Sequence, residues 1–519
     1  MTVVDELRAR LAPAQVLTDA AALDAYAHDD AEWAPFAPPA AVVLAESLDD
    51  VVATVEVAHA TATPIVPRGA GTGLSGGANA IAGCIVLSLE RMTRILEVDV
   101  DERFAVVEAG VLNDDLRRHV ASHGLWYPPD PASQAISTIG GNVATNAGGI
   151  CCVKYGVTTD YVLGLTVVLA DGRVARVGRS TAKGVTGYDL TSLIVGSEGT
   201  LAIVVEARLK LVPLAGREDR VVVGTFSSLT DAGRAVASIA RDGIVPAALE
   251  LVDRTCLAAV NAWQGLGIRD DAAAMLLVRV DEVGPAGEAL AERVAAHLAA
   301  ADASGIERAS DPDEIDRLFR ARRLAYPALE RLGPVLTEDI CVPRMQVPAM
   351  LARIEAIAAE ADVTIANIAH AGDGNLHPLI VVAADDAAAR ARAKVAFDRI
   401  VDECQRLGGT ATGEHGVGLL KLPAAAAEIT GVELDLHAAV KHAFDPRGLL
   451  NPGKAFPSAG SALAGGIGAV IDLAGEPAAP SSLAAAAEPA SLASPAAPAS
   501  LARTTPTGQQ MQPIGQEMS

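Results

Sequence analysis

Cysteine is scarce and scattered in this chain, which limits the redox centres that it can hold. The 519 residues include six cysteines and no Cys-x-x-Cys pair, the positions being Cys84, Cys151, Cys152, Cys256, Cys341 and Cys404. An iron–sulfur centre needs several closely arranged thiolates, so this spacing excludes one. The pattern also indicates a reducing compartment, and we therefore predict a cytoplasmic protein. Electrons that such a protein collects must pass to a separate acceptor.

Long apolar runs are also missing. No stretch of about 18 apolar residues without charge occurs, so we predict no transmembrane segment. Residues 1–17 lack the apolar core of a signal peptide and carry apolar residues at helical spacing, which predicts an amphipathic helix. Peripheral contact with a membrane surface is compatible with these patterns.

Positive charge is in deficit, which restricts the partners of the protein. Lys and Arg number 41 against 64 Asp and Glu, for a formal net charge of -23 at pH 7. A strongly acidic surface repels a phosphate backbone, so we predict no nucleic-acid partner. An anionic substrate would need a local positive charge, such as a metal ion or a buried arginine, to be held against that field.

The order of short strands and helices predicts an α+β protein with more than one domain. After an N-terminal helix in residues 1–35, strands between turns predict a first domain over 36–215. Residues 216–441 predict a cap domain, an antiparallel sheet with helices on one face. Residues 442–457 are a predicted closing segment on the first domain, and 458–519, dominated by Ala, Pro, Ser and Gly, are predicted to be disordered.

The first motif is a glycine-rich loop after a predicted strand. Gly71-x-Gly73-x-x-Gly76 formally matches the dinucleotide fingerprint of a Rossmann domain, but the chain continues into another strand instead of a helix. Closely spaced glycines can instead surround a pyrophosphate with backbone N–H groups, and Arg68 and Thr72 can add a charge and a hydroxyl donor. The alternative is a structural turn.

Two further stretches share this composition. Residues 127–149 pack small residues and short polar side chains together, and Thr138, Asn142 and Asn146 are candidates to hydrogen-bond a flavin ring or its ribityl chain. Residues 196–204 run from a glycine turn into a strand.

The three stretches, in this order, resemble the FAD domain of the vanillyl-alcohol-oxidase type flavoproteins, and most closely the glycolate dehydrogenase flavin subunit and the D-lactate dehydrogenases. The resemblance spans residues 40–457 and implies a two-subdomain FAD-binding domain over 36–215 with the cap domain behind it. It implies pyrophosphate contacts from Arg68, Gly69, Ala70, Gly71, Thr72 and Gly73. It implies flavin contacts from Ser133, Thr138, Gly141, Asn142 and Gly148, with Glu198 and Ile203 nearby. Neither glycine-rich stretch contains a histidine for covalent attachment, so we predict non-covalent FAD.

A histidine pair flanks a predicted hairpin turn at Asp373-Gly374. Counting back from the turn places His370 directly opposite His377 on one face of the sheet. A structural pair is the alternative to a metal site, which needs another ligand. Glu414 and His415, on a later glycine-rich loop, offer one, and two histidines with a carboxylate suit a catalytic Zn²⁺ or Mn²⁺. The resemblance implies metal ligands His370, His377 and Glu414, with His415 as the base.

Arg322 matches the arginine that holds the substrate carboxylate in the resembled family, and a guanidinium suits a carboxylate. The alternative is a solvated basic helix face, because Arg320 and Arg323 stand beside it. The chain departs from the related D-2-hydroxyglutarate dehydrogenases at Leu379, where they carry Asn, and at Thr337, where they carry Lys. These departures favour the glycolate and lactate branch.

These features together predict an FAD-dependent oxidoreductase. Its expected reaction oxidises glycolate or D-lactate to the 2-oxo acid by hydride transfer to flavin N5, with electrons passed to an iron–sulfur subunit, a cytochrome or a quinone. The alternatives are another D-2-hydroxy acid such as D-2-hydroxyglutarate, or a non-redox flavoprotein of the same fold, as in the ether-lipid synthases. A nicotinamide-dependent Rossmann enzyme and a non-enzymatic metal-binding scaffold are less compatible with the loops.

Overall fold

Short strands of Val, Ile and Leu build two sheets in the first part of the chain. A computed structural model describes residues 1–181, 183–268, 271–383 and 386–457, and the tail predicted to be disordered, 458–519, lies outside them. The helices of the first part are α1 (Val3–Arg10), α2 (Ala20–Ala25), α3 (Leu48–Thr61), α4 (Asn113–Ala121), α5 (Ile139–Thr145), α6 (Cys152–Tyr155) and α7 (Leu190–Ile194). Its strands are β1 (Val16–Leu17), β2 (Ala41–Leu44), β3 (Ile65–Arg68), β4 (Ile85–Ser88), β5 (Ile95–Asp99), β6 (Phe104–Glu108), β7 (Leu125–Trp126), β8 (Val162–Val168), β9 (Val174–Gly178), β10 (Ile203–Lys210) and β11 (Val212–Pro213).

The first sheet has the strand order β1-β2-β4-β3, in which β2, β3 and β4 run parallel. Helix α3 connects β2 to β3 and packs Val51 and Val55 on the sheet. Parallel strands covered by helices are buried and read as unbroken apolar runs, as Ala41–Leu44 does. Because β3 ends at Arg68, the glycine-rich loop begins at the end of a buried strand.

The second sheet is antiparallel, with the order β5-β6-β10-β8-β9. Helix α5 places Ile139 and Val143 in the same apolar core as this sheet. Thr138 caps the helix, accepting the N–H of Gly141 at 3.2 Å, so the residues predicted to contact a flavin stand at a helix N-terminus. Strands β7 and β11 pair separately.

The second part of the chain forms a larger antiparallel sheet. Its strands are β12 (Arg220–Phe226), β13 (Ala248–Asp253), β14 (Ala274–Val280), β15 (Gly305–Ala309), β16 (Val335–Thr337), β17 (Ile340–Cys341), β18 (Thr364–His370) and β19 (Asn375–Val381). Its helices are α8 (Leu229–Arg241), α9 (Arg254–Gln264), α10 (Pro285–Ala300), α11 (Pro312–Glu330), α12 (Val347–Ala361), α13 (Ala387–Arg406), α14 (Leu422–Glu428) and α15 (Val432–Phe444). The strand order is β15-β12-β14-β13-β18-β19-β16, and β17 also pairs with β19.

The prediction that helices cover one face of this cap sheet is wrong. Leu276 and Val278 of β14 share a core with α8, α10, α12 and α13, whereas Leu277 shares another with α9 and α11. Successive side chains of a strand point to opposite faces, so helices cover both. Because both faces are apolar, residues 274–278 of β14 form a continuous apolar run. Such a run does not reveal on which face of the sheet the helices pack.

The N-terminal helix is shorter than predicted. Helix α1 ends at Arg10, since Leu11 is extended and Pro13 begins a separate 3₁₀ turn, after which β1 joins the first sheet. Leu7 and Leu11 are buried in the core of that sheet, so this segment is part of the first domain's packing. Within the described ranges, no helix combines the length and the apolar character that crossing a membrane requires.

The closing segment returns to the first sheet. Asn451 donates its backbone N–H to the Ile65 carbonyl at 2.8 Å, and its side-chain amide to the carbonyls of Gly77 and Glu198 at 2.9 and 2.7 Å. The buried ammonium of Lys454 donates to the same Gly77 carbonyl at 3.1 Å. These bonds connect the end of the described chain to the walls of the glycine-rich loop.

Asp281 joins the two parts of the chain. It follows β14, and its buried carboxylate accepts from the Lys154 ammonium at 2.5 Å, from the Arg217 guanidinium at 3.1 Å and from the Tyr155 hydroxyl. Burial opposes its ionisation, but Lys154 and Tyr155 outweigh this and hold the pKa of Asp281 below its usual range. Since α6 carries Lys154 and Tyr155, one cap carboxylate connects α6 to the cap sheet.

We expect Asp281→Ala to lower the free energy of unfolding by about 2 kcal/mol, because it leaves the Tyr155 hydroxyl without its acceptor and the Lys154 ammonium with Glu282 alone. The stabilisation of a carboxylate with a lowered pKa is present above the unfolded value of 3.8 and is lost as pH falls through the folded value, so the effect is full at pH 7. Guanidinium unfolding at pH 7 measures it, with the exposed Asp313→Ala as control. Equal midpoints for both variants would contradict it.

Candidate active site

A large cavity lies between the first two sheets. It holds about 1370 Å³ of empty space, part of it open to solvent. Twelve of the thirteen residues predicted to bind the cofactor line it, namely Arg68, Gly69, Ala70, Gly71, Thr72, Gly73, Ser133, Thr138, Gly141, Asn142, Glu198 and Ile203.

The glycine-rich loop is tightly packed at the cavity wall. Gly71 has φ +81°, and an added Cβ would lie 2.0 Å from the guanidinium of Arg68. A Cβ on Gly69 would lie 2.3 Å from Thr138 Oγ1. The Arg68 guanidinium donates to the His28 carbonyl at 2.6 Å, so in this structure it supports the loop from beneath. The loop continues into β4, which excludes the Rossmann arrangement, because that fingerprint must open a helix.

Polar atoms without partners mark the opposite wall. Asn142 Nδ2 and Ser137 Oγ line the cavity and are buried with no hydrogen-bond partner in the described part of the chain. A buried polar group without a partner is costly, so these atoms fit a ligand with polar edges, as a flavin has. Small residues beside them leave space for a planar ring.

Two residues of this stretch have other roles. Asn146 ends α5 in the left-handed conformation, with φ +53°, and its side-chain oxygen accepts the N–H of Thr159 at 2.9 Å. Gly148, predicted to contact the flavin, does not line the cavity. An added Cβ there would lie 2.5 Å from Glu414 Oε2, so Gly148 makes room for a carboxylate from the cap.

The histidine hairpin has a different register from the predicted one. His370 pairs with Asn375 and His377 with Ile368, so the loop has four residues, 371–374, and not two. Gly372 donates its N–H to the Leu249 carbonyl at 3.1 Å, and this contact with β13 takes it out of the hairpin ladder. The shift of two residues is even, so both histidines still point to the same face. Their ring centroids lie 5.2 Å apart, edge to face.

His370, His377 and Glu414 come together at this face. Glu414 Oε1 lies 3.2 Å from His370 Nε2 and 3.3 Å from His377 Nε2. Four-coordinate Zn²⁺ with ligand bonds of about 2.0–2.1 Å places its ligand atoms about 3.3 Å from one another. Burial opposes the ionised form of Glu414, but the two histidines hold the pKa of that carboxyl well below its usual range. The donor set and its spacing fit a divalent metal ion.

Arg322, predicted to hold the substrate carboxylate, does not line the cavity and lies with Glu250 behind this cluster. His370 Nδ1 lies 2.8 Å from Glu250 Oε1, and Arg322 Nε donates to Glu250 Oε2 at 2.8 Å. All three side chains are buried, so the solvated-face interpretation of Arg322 is wrong; α11 presents Arg322 inward while Arg320 and Arg323 are exposed. A carboxylate on the far nitrogen of a ligating histidine fixes which nitrogen faces the metal.

His415 connects the cluster to the cavity. Its ring stacks on His377, with centroids 5.0 Å apart and planes 15° apart, and the residue lines the cavity together with Glu414. Burial lowers the pKa of His415 to about 4, although Asp339 opposes this. The imidazole is therefore neutral at pH 7 and able to accept a proton.

Two family models match the chain, the FAD binding domain over residues 39–178 and the FAD linked oxidases, C-terminal domain, over residues 216–455. The glycolate oxidase subunit GlcD of Bacillus subtilis (strain 168) is 42% identical over 419 residues, which cover 80% of this chain and 89% of that protein. The chain belongs to the FAD-linked oxidases. A D-lactate dehydrogenase of Anaerostipes hadrus is 32% identical over 463 residues, covering 86% of this chain and 95% of that protein.

The fold of this FAD-linked oxidase also occurs in a distant solved structure. Substrate-bound p-cresol methylhydroxylase superposes with a TM-score of 0.73 over 87% of this chain and 96% of that one, at 18% identity. At that identity the likeness shows the fold alone. The predicted α+β class, with an FAD-binding domain and an antiparallel cap, is confirmed, and so is the prediction of a flavoprotein oxidoreductase.

One buried residue of this FAD-linked oxidase was not predicted from the sequence. Asp339 Oδ2 accepts the backbone N–H groups of Gly413, Glu414 and His415 at 2.9, 3.0 and 2.9 Å, and the Thr412 hydroxyl at 2.7 Å. It lies near His377 and His415 and could in principle form a second metal site with them. Four donors already occupy this oxygen, so Asp339 holds the loop instead. The signal in the sequence is Glu338-Asp339, an acidic pair among apolar strand residues.

Proposed function

We propose that this FAD-linked oxidase oxidises a small 2-hydroxy acid, glycolate or D-lactate, to the 2-oxo acid. The observation that carries the proposal is the juxtaposition of the His370, His377 and Glu414 cluster with His415 at the wall of the FAD cavity. The names of the two relatives, a glycolate oxidase subunit and a D-lactate dehydrogenase, support this substrate class.

The residues of the site have separate roles in the proposed reaction. His370, His377 and Glu414 would hold a divalent ion, Zn²⁺ or Mn²⁺, beside the cavity. When bound, FAD supplies the hydride acceptor at N5 and the metal ion a Lewis acid that lowers the pKa of the substrate hydroxyl. His415, neutral and next to Glu414, would take the hydroxyl proton. Glu250, supported by Arg322, would keep the His370 ring oriented toward the cluster.

The cavity lining supports non-covalent FAD. His415 is the only histidine that lines it in the described part of the chain, and the proposed mechanism uses that ring as the base. Neither cysteine nor tyrosine lines it there. Histidine, cysteine and tyrosine are side chains that can attach a flavin covalently, and His415 is the one of these in the described lining, so the cofactor would be held by non-covalent contacts with the cavity wall.

A separate electron acceptor completes the proposal. The six cysteines are free, and among the described residues none of the candidate metal groups contains one. The electrons would therefore leave to another protein or a quinone, as the subunit name of the Bacillus relative suggests. If the acceptor is a protein, the candidates are an iron–sulfur subunit and a cytochrome. The cytoplasmic location stays a prediction.

Anaerobic spectroscopy tests the substrate class. We expect the purified protein to be yellow and its flavin absorption to bleach within seconds of adding D-lactate or glycolate, because hydride transfer reduces the ring. D-2-hydroxyglutarate and L-lactate serve as comparisons. Bleaching by D-2-hydroxyglutarate alone would move the substrate to a longer acid. A protein that stays yellow with every 2-hydroxy acid, but bleaches with dithionite, would overturn the proposal in favour of non-redox chemistry.

A further inference from the structure

Glu198 lies in the cavity wall, in the turn between α7 and β10. Its backbone has φ +51°, in the left-handed region that residues with side chains rarely occupy. The side chain is buried, and burial raises the pKa of its carboxyl to about 7. A buried acid in a strained turn persists where the surrounding structure holds it in place, so the contacts of its carboxylate indicate its role.

Both carboxylate oxygens of Glu198 bind the cap. Oε1 accepts the backbone N–H of Val417 at 2.7 Å, and Oε2 accepts that of Gly418 at 2.8 Å. An added Cβ on Gly416 would lie 3.0 Å from Glu198 Oε1, and one on Gly77 would lie 3.1 Å from Oε2. Glycines on both sides therefore make the space that the carboxylate occupies. Both of these hydrogen bonds to the carboxylate come from backbone N–H groups of the cap. The carboxylate is therefore bound by the protein itself.

The loop that Glu198 holds is the one with Glu414 and His415. On the other side, Asp339 accepts the N–H groups of residues 413–415. One carboxylate from the flavin domain and one from the cap thus bind successive parts of a single loop. The flavin domain also contacts the loop through Ser75, whose hydroxyl donates to the His415 carbonyl at 3.1 Å. Glu198 is therefore the charged one of two flavin-domain attachments that set the position of Glu414 and His415 relative to the cavity.

We propose that Glu198 is a positioning residue that fixes the 414–418 loop against the flavin cavity and thereby couples metal binding to FAD binding. This differs from the flavin contact that the family resemblance implies for it. Because Glu198, Glu414 and His415 line one cavity, a ligand in the cavity and a metal at the cluster order the same loop. Each ligand then lowers the entropic cost of binding the other. The inference rests on the metal site of the proposed function.

Glu198→Gln tests the positioning role, because the amide keeps the shape but turns a donor toward one of the two N–H groups. We expect its Kd for Zn²⁺, titrated into metal-free protein, to rise about 10–100-fold, as when outer-shell partners of metal ligands are removed. The Kd for FAD, also measured in metal-free protein, should change less than about 3-fold, because the glycine loop is intact. Turnover should fall with KM nearly unchanged. The matched control is Glu206→Gln. Glu206 is the fourth residue of β10, and its carboxylate accepts a hydrogen bond from the Thr166 hydroxyl.

The opposite pattern would overturn the inference. Weakened FAD binding with unchanged Zn²⁺ affinity would make Glu198 a flavin ligand, and no change in either would leave it without a positioning role. Circular dichroism and the thermal midpoint report whether the variant folds. The proposed function fails separately, if the unaltered protein binds neither Zn²⁺ nor Mn²⁺.

The unaltered protein offers a second measurement that does not depend on a variant. Coupling through the loop predicts that saturating FAD tightens Zn²⁺ binding at least about 5-fold, and linkage requires Zn²⁺ to tighten FAD binding by the same factor. Equal Zn²⁺ affinities with and without FAD would remove the coupling. A tightening that Glu198→Gln leaves intact would assign it to other residues, and would equally reject the proposal.

Discussion

Replacing Glu414 with Gln will lower the turnover of D-lactate or glycolate by about 10³-fold. A bound metal ion supplies several kcal/mol of transition-state stabilisation, and about 4 kcal/mol corresponds to this factor. The amide keeps the shape of the carboxylate but loses the negative charge that lies 3.2 and 3.3 Å from the two histidines. Turnover with limiting Zn²⁺ or Mn²⁺, and the metal content of the purified variant, measure the effect.

Metal removal from the unaltered protein should give the same loss. Dialysis against EDTA is expected to stop turnover, and added Zn²⁺ or Mn²⁺ should restore it; excess FAD is kept present throughout, because metal removal weakens FAD binding. The exposed Glu433→Gln, on α15, is the matched control and should behave as the unaltered protein does. Full turnover after the metal content has fallen below one tenth of the protein concentration would show that the cluster is not a catalytic metal site.

His415→Asn will slow flavin reduction by about 10²–10⁴-fold, the range that a positioned general base contributes. The effect should fall on the chemical step, because His415 lies outside the three-residue cluster and its backbone contacts, to Asp339 and Ser75, do not use the ring. Stopped-flow reduction under anaerobic conditions isolates this step from reoxidation.

The same variant has to keep its ligands for the assignment to hold. We expect its metal content and its FAD absorption to match those of the unaltered protein, and His442→Asn, exposed on α15, to be fully active. If His415→Asn reduced its flavin at the original rate, the base would be another group. If it lost metal, His415 would belong to the metal site.

Local patterns predicted much of this structure. Apolar residues recur at helical spacing behind Ser228, which predicts a helix over 229–241, and α8 has these bounds. Short apolar runs between turns predict strands that start at residues 40, 104 and 203, and β2, β6 and β10 begin within one residue of these positions. The cavity residues from Arg68 to Gly73 followed from glycine spacing and from the family resemblance.

Other features depend on partners distant in the chain, and sequence patterns do not report these. The hairpin register was wrong because Gly372 bonds to Leu249, which lies 123 positions earlier in the chain. Glu250 and Asp339 were missed for the same reason, since their partners, His370 and the 413–415 loop, lie 120 and about 75 positions later in the chain. Gly148 was predicted to contact the flavin, whereas its lack of a side chain makes space for the Glu414 carboxylate.

The closing segment affects how the protein is made. The wall of the flavin cavity near Gly77 and Glu198 is completed by Asn451 and Lys454, which are among the last described residues to be synthesised. The glycine loop that they brace is translated almost four hundred residues earlier. A nascent chain therefore carries this loop without its brace for most of translation. We therefore expect the glycine loop to reach its braced conformation only after residues 451–454 have been synthesised.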